Sequence, residues 1–95
     1  MPAGGASAWV PRRTEGVLTA EVDGEAVLMH PVDYTYFGLS TTGVAVWQRI
    51  DGERSVQAIV SGLGSVYDGA HDTIHREVLD FLSGLASARL IDTRH

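Results

Sequence analysis

The chain predicts an α+β fold, a three-stranded antiparallel sheet followed by three helices. Two observations carry this reading. Residues 17–39 hold three apolar, β-rich runs separated by turn residues, and from Ser40 onward the apolar residues recur at helical spacing. Strands grouped before helices argue against an alternating, doubly wound arrangement. With 95 residues, 44% hydrophobic and 20% charged, the chain has the size and balance of one ordinary globular domain.

Each element has its own signal. Residues 1–15 carry two prolines, two glycines and several small residues without period, and read as a disordered tail before a domain over 16–92. Trp9 is the one residue of that tail suited to folding back. Asp23-Gly24 between apolar runs is a hairpin signal, placing the first strand at 17–22 and the second at 25–30. Pro31-Val32-Asp33 is a turn. Tyr34–Leu39 is the third strand, with Thr35, Phe37 and Leu39 on one face and Tyr34, Tyr36 and Gly38 on the other. Ser40 caps a first helix over 41–50, whose buried face is Val44, Trp47 and Ile50. Asp51-Gly52 ends it. Ser55 caps a second helix over 56–67, with Val56, Ile59, Val60, Leu63 and Tyr67 inward. Asp72 caps a third over 73–87, with a stripe of Ile74, Val78, Phe81, Leu82 and Leu85. Leu90-Ile91 is a closing anchor.

Composition excludes several functions. Cysteine is absent, which removes disulfides, thiolate metal sites and cysteine nucleophiles. Lysine is absent, which removes a Walker-type phosphate loop, and no serine stands in a Gly-x-Ser-x-Gly elbow. No apolar run approaches the roughly 18 residues of a membrane span, and the N-terminus lacks the layout of a secretion signal, so the expected compartment is the cytoplasm. Net charge is −5, and the seven arginines are scattered, so no basic face for nucleic acid is expected. His71-Asp72-x-x-His75 has metal-ligand spacing but no third ligand, and reads as an Asp cap beside two solvated histidines. The expectation is a non-enzyme with no cofactor and no metal.

The third strand is the most suggestive segment. Tyrosine offers a rigid apolar body with a polar tip, and Gly38 admits a second backbone closely. An open strand edge is a template for an extended peptide. Tyr34 and Tyr36 could equally serve only to cover the sheet.

Val27-Leu28-Met29 leads to Pro31, and an aromatic strand ends in Gly38-Leu39 with Ser40 as a small polar cap. Thr42-Gly43 and the Val44/Trp47 face follow, then Asp51-Gly52 before Arg54-Ser55-Val56, and Glu77-Val78, Phe81-Leu82 and Leu90-Ile91 complete the set. In this order these features resemble the PqqD-like family of peptide chaperones, the recognition elements for ribosomally made, post-translationally modified peptides. The resemblance spans about residues 16–91. It departs at Ser40, where the family often has asparagine, at Glu77 for aspartate, and at Arg89 for glycine. A Cβ at residue 89 is strained if the backbone there needs positive φ. The resemblance implies a winged helix-turn-helix-like fold that binds the leader segment of a precursor peptide as an added strand on the third strand. A groove with the third helix would hold the leader's side chains. The bound peptide is then presented to a modifying enzyme such as a radical SAM enzyme, a leader peptidase or a cyclase. The expected contact set is Tyr34, Tyr36, Phe37 and Gly38 with His75, Val78, Leu79 and Leu82, of which Phe37, Val78 and Leu82 suit a pure core equally well. The alternatives are a DNA-binding winged-helix regulator and a subunit that only stabilises another enzyme.

Overall fold

The computed structural model describes residues 9–64 and 71–92, and for His71 the backbone only. The elements are β1 (Arg12–Arg13), β2 (Leu18–Val22), β3 (Glu25–Met29), β4 (Tyr36–Leu39), α1 (Thr41–Gln48), α2 (Val56–Gly64), α3 (His71–Ser87) and β5 (Ile91–Asp92). The α+β reading holds. An antiparallel sheet of order β2-β3-β4 precedes the three helices, and a separate two-stranded ribbon pairs β1 with β5.

The local chemistry explains the turns. Asp23 and Gly24 both have positive φ, 56° and 81°, as the tight hairpin between β2 and β3 requires. Ser40 Oγ accepts from the Gly43 amide at 3.2 Å and starts α1, and Ser55 Oγ accepts from the Ala58 amide at 3.1 Å to start α2. Asp51 Oδ1 accepts from the Glu53 and Arg54 amides, both at 2.9 Å, which shapes the connection between these helices. Those two backbone donors are the main reason the Asp51 carboxyl is held below the usual carboxylate range. Residues 65–67 of the expected second helix lie outside the described residues. Asp72 falls within the first turn of α3 rather than before it, because the helix already includes His71.

The core lies between the inner face of the sheet and the helices. Leu28, Ile50, Val56, Ile59, Leu63, Leu82 and Leu85 are fully or almost fully buried, and Leu90 and Ile91 close the lower end. Among the described residues no helix is long and apolar enough to cross a membrane.

The tail reading is corrected from Trp9 onward. The Val56 amide donates to the Trp9 carbonyl at 2.8 Å, and Arg12 and Arg13 pair with Asp92 and Ile91. Arg13 Nη2 donates to the Trp47 carbonyl at 2.6 Å while its guanidinium lies 4.5 Å from the Trp47 ring centre. Burial lowers the Arg13 pKa, and the nearby Asp51 charge opposes that shift. A two-residue strand has no period, so its partner 80 residues away in sequence is what defines it.

Candidate functional site

The site is built around β4. Among the described residues this strand has one strand neighbour, β3, and its other edge is open. Alternation holds as expected. Leu39 is buried, Phe37 is half-buried, and Tyr36 is 73% exposed on the outer face with Gly38. A Cβ at Gly38 would meet nothing within 4 Å, so the outer side of the edge is unobstructed there.

Helix α3 lines the inner side of that edge. Val78, Leu82 and Leu85 anchor it in the core. Phe81 stands edge-to-face with Phe37, ring centres 6.3 Å apart. Gly84 lies beneath the Phe37 ring, where an added Cβ would sit 3.4 Å from Cζ. Gly43 of α1 packs equally close, its added Cβ reaching Phe81 Cε1 at 3.3 Å and Leu39 Cβ at 3.4 Å. Beyond this junction a cleft of about 440 Å³ opens between the start of α1 and the first half of α3, with Ser40, Thr42 and Val46 on one wall and Ile74, Glu77 and Phe81 on the other. The β4 edge, the aromatic step and the cleft adjoin at Phe81, which meets Phe37 on one side and lines the cleft on the other.

The start of β4 is fixed by a polar cluster. His30 is buried, and its Nδ1 accepts from the amides of Val32 and Asp33, both at 3.1 Å. The His30 amide donates to the Thr35 carbonyl and the Tyr34 amide to the His30 carbonyl, closing the loop into β4. Asp33 then pairs with Arg89 at the end of α3. That hydrogen bond is the chief reason the Asp33 carboxyl is held below its ordinary range. Arg89 has a φ of 60°, the strained conformation anticipated at this position, and its amide caps α3 on the Ala86 carbonyl.

The family model for coenzyme PQQ synthesis protein D (PqqD) matches residues 25–91. The chain belongs to the PqqD family. It is 35% identical over 85 residues to the bifunctional coenzyme PQQ synthesis protein C/D of Methylorubrum extorquens, spanning 87% of this chain but only 22% of that relative. Three solved structures share the fold. TbiB1 in complex with the TbiA(beta) leader peptide has a TM-score of 0.80 at 30% identity, covering 88% of this chain and 98% of that one. The PqqD truncation of Methylobacterium extorquens PqqCD, described as a functional, stand-alone recognition element, has a TM-score of 0.76 at 32% identity, covering 90% and 92%. A lasso peptide synthetase B1 complexed with its leader peptide matches at TM-score 0.77, and its 19% identity, over 88% of this chain and 99% of that one, speaks for the fold alone.

The PqqD-family fold brings together some of the expected residues and separates others. Tyr36, Phe37 and Gly38 lie on β4. Tyr34 does not. It precedes the strand with a φ of 58°, because the His30-centred turn uses residues 31–35 before pairing starts. Val78 and Leu82 are core, 3% and 0% exposed, and support the groove from beneath. His75 and Leu79 lie on the opposite flank of α3 from the residues that meet Phe37. Phe37 meets Phe81 and Gly84, and Leu79 is roughly 160° round the helix from Phe81. Ala86, on the same flank as Leu79, faces the β1/β5 ribbon. Glu77 lines the cleft and Gly84 meets Phe37, both on the same flank as Phe81; the sequence reading named neither as a contact and assigned Phe81 to the core. A glycine inside a helix costs about 1 kcal/mol against alanine, so Gly84 was itself a signal of close approach. Among the described residues no three His, Asp or Glu side chains gather as a metal site, and the His71 side chain lies outside them.

Proposed function

We propose that this protein is a non-catalytic recognition module that binds the leader segment of a ribosomally made precursor peptide as an added strand on β4. It holds the leader beside α3 and presents it, in the cytoplasm, to a modifying enzyme such as a radical SAM enzyme, a leader peptidase or a cyclase. The observation that carries the reading is the open β4 edge standing directly beside the Phe81–Gly84 face of α3. Its support from relatives is that TbiB1, 30% identical, was solved with a leader peptide.

Both the edge and the groove are needed. A strand edge supplies roughly one hydrogen bond per residue, each worth about 1 kcal/mol net, and association costs at least about 4 kcal/mol. Four residues of edge therefore leave little surplus. Apolar leader side chains at the Phe37–Phe81 step and in the cleft supply the rest, at about 1.5–3 kcal/mol for each large side chain fully buried. Tyr36, Phe37 and Gly38 would meet the leader backbone, and Glu77, Phe81 and Gly84 its inward side chains. Tyr34 borders the loop end. A DNA-binding role finds little footing, since α3 exposes Asp72, Glu77 and Asp80 around Arg76.

The test is a fluorescence-polarisation titration with the leader peptide of the precursor encoded beside this chain, run against the same peptide N-methylated at alternate residues. Saturable binding of the first and loss of at least tenfold for the second is expected. Equal binding of both peptides, or none of the unmodified leader, would refute strand addition.

A further inference from the structure

Strand β2 alternates Leu18, Thr19, Ala20, Glu21, Val22, a strict period of two. Such a pattern normally turns its apolar set toward the core. Here it does the reverse. Register places Thr19 opposite Leu28 and Glu21 opposite Ala26, on the inner face, and Leu18, Ala20 and Val22 on the outer one. The outer face continues across the sheet in rows, Leu18–Met29–Tyr36 and Ala20–Val27–Gly38. Leu18 is 58% and Val22 70% exposed. This is a contiguous apolar surface set by the alternation itself, and the protein's own core cannot be its purpose.

Charge selects what covers it. Residues 16–48 contain neither lysine nor arginine, and of their four carboxylates Glu21 lies on the inner face and Asp33 is paired with Arg89, which leaves Asp23 and Glu25 to border the patch. Glu25 lies in the outer face beside Val22, and Asp23 is at the adjoining turn. A second copy packed sheet to sheet would bring like charges together, and an anionic bilayer would be repelled for the same reason. The complementary surface is an apolar patch bordered by arginine or lysine on another protein.

We infer that the outer face of the β2–β3–β4 sheet is the docking surface for the modifying enzyme, through an apolar patch rimmed by basic residues. The inference rests on the leader-peptide reading, and it explains how loading is sensed. A leader added to β4 becomes a fourth strand, and its alternate side chains extend the Tyr36–Gly38 side of this same outer face. Its remaining side chains face α3. The enzyme therefore docks on a surface that the bound peptide completes.

The experiment uses the full chain, its adjacent precursor's leader, and the purified modifying enzyme encoded beside them. Leu18→Glu combined with Val22→Glu changes two exposed positions outside the proposed peptide site. Leader affinity by fluorescence polarisation is expected to stay within twofold of wild type, and enzyme affinity by calorimetry to fall at least tenfold. Glu25→Lys should weaken the enzyme severalfold and flatten its salt dependence. Circular dichroism melts check that each variant is folded. Unchanged enzyme affinity in the folded double variant would overturn the proposal. So would a wild-type dimer in light scattering that the double variant dissociates, or co-sedimentation with phosphatidylglycerol vesicles that it abolishes. If the wild type bound no leader but enzyme affinity still fell, the leader reading would be lost and the docking face would stand.

Discussion

The sheet ends in two strands with the same backbone groups on offer, and only one of them has the makings of a site. β2 is five residues long and exposed throughout, including Thr19 and Glu21 on its inner face. β4 is shorter, but Leu39 is buried and Phe37 is wedged between Phe81 and Gly84. An inward-pointing charge such as Glu21 is a known way to keep an edge from recruiting another chain. The contrast teaches that an open edge alone is not a binding site. A helix packed beside the edge, as α3 is beside β4 through Phe81 and Gly84, is what could make a generic edge selective.

The comparison is broken most severely by loosening α3. Leu82 is fully buried, so Leu82→Ala should cost about 2–5 kcal/mol in urea unfolding, and β4 should lose its advantage over β2 in leader binding. A sharper change keeps the fold and blocks the groove. Gly84→Leu places bulk against Phe37 and should weaken leader binding by on the order of tenfold. Its melting temperature should hold, because replacing a mid-helix glycine gains up to about 1 kcal/mol. Thr19→Lys on β2 is the matched control, and its leader affinity should stay within twofold. Arg89→Gly should raise the melting point slightly, since relieving a positive φ is worth about 1 kcal/mol, less whatever the pair with Asp33 gives up.

The smallest effect is in pH. Asp33 has a lower pKa folded than unfolded because Arg89 hydrogen-bonds its carboxylate. Its contribution is therefore complete above the unfolded carboxyl pKa and is lost as pH falls through the depressed folded value. A carbon-detected titration of Asp33 should show the depressed midpoint, and Arg89→Ala should return it toward the ordinary range.

Most of the fold was legible because its signals are local. Asp23-Gly24 demanded a hairpin, Ser40 and Ser55 offered caps, and the Val56–Leu63 and Val78–Leu85 stripes predicted their own burial. Arg89, where glycine would be free of strain, marked a positive-φ residue from the sequence alone. The site was half legible for a geometric reason. A helical stripe identifies what is buried but has two flanks, and periodicity cannot say which one a neighbouring strand occupies. His75 and Leu79 lie on one flank, Glu77 and Gly84 on the other, and Phe37 packs against the second. The β1/β5 ribbon was illegible because two-residue strands carry no pattern.

The most direct measurement is backbone amide hydrogen exchange on the isotopically labelled chain with and without its leader peptide. The account predicts new protection within Tyr36–Leu39, chemical-shift changes at Phe81 and Gly84, and no added protection along Leu18–Val22. Protection gained along β2, or a bound leader that leaves the β4 amides unchanged, would contradict it.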